Sequence, residues 1–257
     1  MAGDLKIDIR RKKILEILRR DGQVRVSQLS EALGATVVTI RNDLDALELD
    51  GYLERTQGGA IQSMKNYYNL EFQRRKQEHM DLKKVIASKA ASMIQDGDTL
   101  FINSGTTTYF TAVELKQRKN INVVTNSVSV AVELGGLPTF RVILLGGDIN
   151  AQYSFTYGED VKDQILHYRA IWTILSVDGV NPGSGITTYH AEESVIARTM
   201  MERSERTIIV ADSTKLGGES FSRISPLYSG MILVTDHGAD QKIVDQITGA
   251  GVETVFA

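Results

Sequence analysis

The strongest constraint on this chain is a rhythm that begins at residue 99 and runs to the C-terminus, in which short apolar runs alternate with longer amphipathic segments. The runs fall at 99–102 (TLFI), 121–124 (INVV), 141–145 (RVILL), 172–175 (WTIL), 207–210 (TIIV) and 231–234 (MILV), with 252–255 (VETV) as a final candidate. They are rich in β-branched residues and too short for helices, so they read as strands. Segments 107–116, 128–134, 160–167, 190–202 and 240–248 read as helices between them. A strand apolar along its length has two faces to bury, and an intervening helix returns the next strand in the same direction. The expected fold class is therefore α/β, a mostly parallel sheet covered on both faces. No internal repeat or low-complexity tract interrupts it.

The N-terminal part follows another pattern. Ile14, Ile17 and Leu18 recur at helical spacing among charged residues, which predicts a helix over 9–20 stopped by Asp21-Gly22. A second helix spans 26–34, with Ser27 as its cap and Gly34 as its stop. Thr36 then caps a third helix to about Leu49, whose stripe of Val37, Ile40, Leu44 and Leu47 turns inward. After Asp50-Gly51, strands at 52–56 and 60–61 flank the turn Gln57-Gly58-Gly59, which gives a hairpin wing. The expected division is a winged helix-turn-helix at 1–62, a polar linker at 63–80 and a larger domain at 81–257 that opens with a helix over 83–94.

Bulk properties narrow the function. Cysteine is absent, which excludes disulfides, thiolate metal sites and a cysteine nucleophile. His79, His167, His190 and His237 lack metal-ligand spacing, and there is no lysine-bearing phosphate loop of the Walker type, so neither metal nor nucleotide cofactor is expected. The first residues are charged and nothing approaches a membrane span, so the expectation is a cytoplasmic protein with no membrane partner. The net charge of −3 argues against nucleic acid only as a sum; Arg10, Arg11, Lys12, Lys13, Arg19 and Arg20 form a local basic cluster.

A tri-helical unit with a wing can lay its third helix in a major groove of double-stranded DNA. Thr36 and Thr39 suit phosphate or base edges, Arg41 suits guanine or phosphate, and Asn42 suits adenine. Ser27 begins the second helix, while Arg55 and Gln57 sit on the wing; Asp43 is assigned to local structure. The same exposed residues would also serve a winged helix that docks a protein.

In the larger domain, polar or glycine-rich residues follow five successive strands. They are Ser104-Gly105-Thr106-Thr107-Thr108, Asn126 in TNS, Gly147 in GGD, Asp178-Gly179, and Lys215 in DSTK. Loops at the carboxyl ends of parallel strands form the usual ligand crevice, and a hydroxyl-rich loop opening into a helix suits phosphate. Each segment alone also reads as a turn or helix cap.

Three stretches carry a family resemblance: Val26-Ser27-x-Leu29, Thr39-Ile40-Arg41-Asn42-Asp43-Leu44-x-x-Leu47-Glu48 and Arg55-Thr56-x-Gly58-Gly59-Ala60. They look like the signature of DeoR-type repressors. The five loops, with Gly185-Ile186-Thr187 and Glu193, stand in the order of that family's sensor domain, so the resemblance covers nearly the whole chain. It implies a sensor fold similar to ribose-5-phosphate isomerase and glucosamine-6-phosphate deaminase, and a phosphorylated sugar as effector. Lys215 would then meet the phosphate or a sugar oxygen, and Asp178 and Glu193 would accept from hydroxyls. The chain departs from the family at Ile171, where an acidic residue is common; Trp172 reads as core or interface, and His190 as a helix start or pocket rim.

The implied function is a repressor of a carbohydrate-utilisation operon, released from operator DNA by its effector and acting as a dimer or tetramer. Two alternatives stand beside it: an isomerase-like enzyme in which Asp178, Glu193 and Lys215 move protons, and an activator or protein-binding scaffold.

Overall fold

The computed structural model of the chain describes residues 2–49, 52–62 and 70–257; the expected break at Asp50-Gly51 and residues 63–69 of the expected linker lie outside the described residues. It divides into two compact units, Met1–Leu70 and Glu71–Ala257.

The first unit runs α1 (Ala2–Asp21), β1 (Gln23–Arg25), α2 (Val26–Leu33), α3 (Val37–Leu49), β2 (Leu53–Thr56) and β3 (Gly59–Gln62). Ile14 and Leu18 of α1 meet Leu29 of α2 and Ile40, Leu44 and Leu47 of α3 in one buried cluster. Val37, expected in that stripe, is 41% exposed; α3 turns its first residues outward. The wing is a three-stranded antiparallel sheet in the order β1-β3-β2, because the short run after Gly22 pairs with β3 through Val24 opposite Ala60. That pairing explains Gly59, where an added Cβ would lie 2.0 Å from the Val24 carbonyl oxygen. Thr36 caps α3 as expected, accepting from the Thr39 amide at 3.2 Å. Gly34 ends α2 with φ 60°. Ser27 is not a cap: α2 starts one residue earlier, after extended Arg25, and makes no side-chain cap bond there.

Asp43 has the local role expected of it. Its side chain is 3% exposed and accepts from Arg10, through Nε and, at 3.1 Å, Nη2, and from Arg11 Nε at 3.3 Å. Two members of the basic cluster therefore tie α1 to α3 and are not free cations.

In the second unit the central sheet has seven strands in the order β15-β14-β12-β9-β4-β5-β6. They are β4 (Thr99–Ile102), β5 (Ile121–Thr125), β6 (Phe140–Leu144), β9 (Ala170–Ser176), β12 (Ser204–Val210), β14 (Met231–Thr235) and β15 (Glu253–Phe256). Every pairing in it is parallel. All seven expected strands are present, and the α/β expectation holds. Small antiparallel pieces decorate it: β7 (Asp148–Asn150) with β8 (Phe155–Tyr157), and β10 (Gly179–Asn181), β11 (Gly185–Thr188) and β13 (Ser222–Ser225).

The helices are α4 (Leu70–Gln77), α5 (Met80–Ser92), α6 (Thr106–Leu115), α7 (Val128–Leu134), α8 (Glu159–Leu166), α9 (Ala191–Glu202) and α10 (Gln241–Gly249). Ile86 of α5, Ala112 of α6 and Val130 of α7 share a core with Ile102 and Ile174; Val161 and Ile165 of α8 and Met200 of α9 cover Phe101. Both faces are thus filled. The expected linker is corrected in its second half: residues 71–77 are helical and belong to this unit, anchored by Phe72 at 3% exposure. Polarity misled the reading there, because six of the eight α4 residues, all but Leu70 and Phe72, are polar or charged, and a single aromatic makes the anchor.

Candidate functional site

The outer side of α3 is the candidate DNA-reading face. Thr36, Val37, Val38, Arg41, Asn42 and Asp45 are exposed on it, and Thr39 is half-buried. Among the described residues the Arg41, Asn42 and Gln57 side chains make no hydrogen bond, so their donors and acceptors are available. Arg55 is more engaged than expected: it donates to the Gly59 carbonyl at 2.9 Å and pairs with Asp45 at 2.9 Å, which fastens the wing to α3. Ser27 is exposed at the start of α2. Val38 escaped the sequence reading; at 65% exposure it presents an apolar surface of the kind that meets a thymine methyl. Its spacing from Arg41, Asn42 and Asp45 along one helical face was the signal that could have found it.

The second candidate site lies where the sheet changes direction. From β4 the chain lays β5 and β6 to one side and then returns to place β9 on the other, so β4 and β9 flank the topological switch point. The loops leaving them are in close contact. Asn103 accepts from the Ser176 amide at 2.8 Å and donates to the Ser176 carbonyl at 2.9 Å. A Cβ on Gly105 would stand 2.3 Å from Ser176 Cβ, so only glycine fits.

Two small cavities open there. The first, about 20 Å³ of space for water, is lined by Ser104, Gly105, Thr106, Asp178, Thr188 and Glu193, with Phe72, Arg75 and Tyr153 on its other side. The second, about 40 Å³, is lined by Thr106, Thr107, Asp212 and Lys215, with Arg75, His79 and Lys83 opposite. Thr106 and Thr107 open α6, whose first amides point at this region.

The charges divide in the same way. Asp178 accepts from Arg75 Nη2 at 2.7 Å, from the Tyr189 amide at 2.9 Å and from Thr188 Oγ1 at 3.2 Å. Burial works to raise its pKa, but Arg75, these hydrogen bonds and Lys215 outweigh that and hold it below the usual carboxylate range. Glu193 is pushed up to about 8, first by burial and then by the neighbouring Asp178 charge, so it carries a proton near neutral pH. Lys83 is lowered to about 8 by burial, opposed by Asp212. Lys83 Nζ donates to the carbonyls of Arg75 and Glu78, and among the described residues neither Lys83 nor Lys215 forms a salt bridge. One cavity thus presents acceptors and hydroxyls; the other presents two amines, with the Asp212 and Glu78 carboxylates in its wall, beside a helix N-terminus.

Residues 10–65 match the family model of the DeoR-like helix-turn-helix domain, and residues 78–237 match that of the DeoR C terminal sensor domain. The chain belongs to the DeoR family. It is a DNA-binding transcriptional regulator with a sensor domain. Among its relatives, the lactose phosphotransferase system repressor of Lactococcus lactis is 36% identical over 210 residues, 80% of this chain and 82% of the relative. The uncharacterised HTH-type transcriptional regulator YulB of Bacillus subtilis is 33% identical over 232 residues, 90% and 89% of the two chains. Among solved structures, ribose 5-phosphate isomerase from Plasmodium falciparum aligns with a TM-score of 0.40 at 16% identity, over 55% of this chain and 53% of that one, a likeness too slight to carry an argument.

Within this DeoR-family sensor unit, the expected effector residues divide into two groups. Ser104, Gly105, Thr106, Thr107, Asp178, Glu193 and Lys215 converge on the cavities. Thr108, Asn126, Gly147 and Gly179 do not line them. Thr108 is fully buried and closes its own loop onto the Asn103 and Gly105 carbonyls, both at 3.0 Å. Asn126 donates to the Thr156 carbonyl at 3.1 Å and is roofed by β8. Gly147 and Gly179 are required by close backbone: a Cβ would lie 2.5 Å from the Tyr157 oxygen and 2.6 Å from the Gly218 oxygen, respectively.

Ile171, the departure from the family pattern, sits near the start of β9 against the core, at the end of the strand away from the Ser176 loop. Trp172 is buried, with Nε1 donating to Asp98 at 3.2 Å. His190 precedes α9 and packs edge-on against Tyr153 at 4.5 Å between ring centroids. Sequence reading missed Arg75, Lys83, Tyr153 and Thr188. The first two lie in or beside the presumed linker, and no loop motif marks any of them.

Proposed function

We propose that this protein represses a carbohydrate-utilisation operon, bound to operator DNA as a dimer or tetramer, and leaves it when a phosphorylated sugar fills the β4/β9 cleft. The observation that carries this reading is the pairing of two chemistries at one switch point. Asp178, Glu193 and Thr188 suit the hydroxyls of a polyol; Lys83, Lys215 and the start of α6 suit a phosphate. The likeness to the lactose phosphotransferase system repressor supports the sugar class. Its place of work is the cytoplasm, where the operator is. Paired heads follow from the small footprint of one winged helix, since two half-sites multiply affinity. No cofactor enters the scheme.

The protonation states favour sensing over isomerisation. Proton abstraction needs a free base, whereas Asp178 accepts from the Tyr189 amide and Thr188 Oγ1, and Glu193 is already protonated near neutral pH. A panel of sugar phosphates tests both readings. One member should raise the Tm by mass action and release a sequence-specific footprint, without turnover. Turnover of the stabilising sugar, or stabilisation with no effect on the footprint, would overturn the proposal.

A further inference from the structure

The two cavities adjoin and share Arg75, Thr106, Ser176 and Val177; of these four, only Arg75 is charged, and it is held by Asp178 at 2.7 Å. A water needs roughly 10–15 Å³ by this measure, so about 20 and 40 Å³ admit only a few waters each. Neither cavity alone takes a molecule with both a polyol chain and a phosphate. Arg75 is the longest side chain in the shared lining, so its departure from Asp178 is the change that enlarges both cavities together.

Arg75 belongs to α4, which starts at Leu70, where the first compact unit ends. The helix is held by Phe72 and Lys76 against Tyr109, at 5.7 Å between ring centroids and 4.2 Å from Nζ to the ring centroid, by Arg75 on Asp178, and by Lys83, which donates to the Arg75 carbonyl and to that of Glu78 just past the helix. We propose that the Arg75–Asp178 pair is a latch, such that the effector enters only by taking Arg75 from Asp178, and the loosening of α4 that follows is what weakens operator binding. Effector hydroxyls replace the guanidinium on Asp178, and the freed guanidinium turns to the effector's phosphate. Arg75 is thus both an effector ligand and the reporter of occupancy. This rests on the effector reading above, but its central consequence needs no effector.

The test uses the full-length protein and a DNA fragment it selects from a random pool. With no sugar phosphate present, Arg75→Met and Asp178→Asn should each weaken binding by roughly 5- to 150-fold, the usual range of allosteric coupling. Both changes break one latch, so the double variant should bind no more weakly than the worse single variant. Hydrogen exchange over residues 70–77 should rise in all three. The charge-reversed protein, Arg75→Asp with Asp178→Arg, should recover part of the affinity and decides the matter if Arg75→Met fails to fold. Wild-type affinity in the single variants, additive losses in the double, or no recovery on reversal overturns the latch. If every sugar phosphate leaves the wild-type Tm unmoved while the cycle couples as described, the effector reading fails and the latch stands.

Discussion

Replacing Gly105 by alanine tests the closeness of the β4 and β9 loops, on which the candidate site depends. The added methyl would start 2.3 Å from Ser176 Cβ and 2.6 Å from its Oγ, more than an ångström inside ordinary contact. Neither side chain is long enough to swing away, so the loops must part. Parting them strains the two hydrogen bonds between Asn103 and the Ser176 backbone, at 2.8 and 2.9 Å. Overpacking of this kind costs about 1–3 kcal/mol, and weakening two hydrogen bonds adds about 1 kcal/mol. The expected loss is about 2–4 kcal/mol, roughly 5–15 °C in the Tm of a unit of this size. Ser176→Gly removes the clashing atoms and leaves Thr108 Oγ1, at 3.1 Å, as the nearest neighbour. The double variant should therefore regain more than half of the loss, less the ~0.5–1 kcal/mol of added backbone freedom. Differential scanning calorimetry of the four proteins gives the answer. If Ser176→Gly adds to the damage of Gly105→Ala and does not relieve it, the loops are not in the contact described, and the site built on that contact falls with it.

Other perturbations address the remaining parts. Arg41→Ala should cost about 1–3 kcal/mol of operator affinity in a mobility-shift titration while leaving the Tm within a degree, because the side chain is exposed and makes no hydrogen bond; a lowered Tm would assign it a structural role. Arg10→Met should destabilise the first unit more than Asp43→Leu, by up to about 3 kcal/mol. The former leaves a carboxylate 3% exposed with Arg11 at 3.3 Å as its remaining partner, the latter two guanidinium side chains at 22% and 32% that reach water. Native-state exchange over residues 37–49 ranks them, and the opposite order refutes the argument. Glu193 has its folded pKa raised to about 8 from 4.5, so its contribution is full below 4.5 and is lost as pH rises through 8. Wild-type stability should thus fall relative to Glu193→Gln across that window, by as much as about 1.4 kcal/mol per pH unit. Parallel urea midpoints from pH 5 to pH 8 would sink this assignment.

The sheet was legible because each of its seven strands is a short apolar run with helical sequence beside it, a pattern that depends only on neighbouring residues. The decorating strands were not. β1 is three residues long and exists through Val24 pairing with Ala60, thirty-six positions away. Residues 179–188 form a short local hairpin of β10 with β11, and the sheet is completed by β13, which pairs with β11 from beyond α9 and β12. Arg75 shows the same limit at the level of function. In sequence it is one basic residue in a polar stretch, and its meaning comes from Asp178, 103 positions on. Asp43 could be set apart from the DNA contacts by its place on α3, but the two arginines that hold it could not be told from free cations.

Strand order explains which loops build the site better than loop composition does. Five loops carried similar polar or glycine-rich signals, yet only those after β4, β9 and β12 line the cavities. These three strands are consecutive in the sheet, and neighbouring strands lie about 4.8 Å apart, so their loops fall within the span of one small ligand. The loop after β6 starts two strands beyond β4, outside that reach. The loop after β5 is near enough, but β8 covers it: the Thr156 amide donates to the Asn126 carbonyl at 2.8 Å, and the Val128 amide to the Ser154 carbonyl at 3.0 Å. The side-chain donor of Asn126 and its backbone carbonyl are spent on that roof, while its Oδ1 is buried beneath it without a partner among the described residues. A hydroxyl-rich loop becomes a candidate ligand contact when the sheet sets it beside the switch point with its donors unspent, and those two conditions separate Thr106 and Lys215 from Asn126 and Gly147.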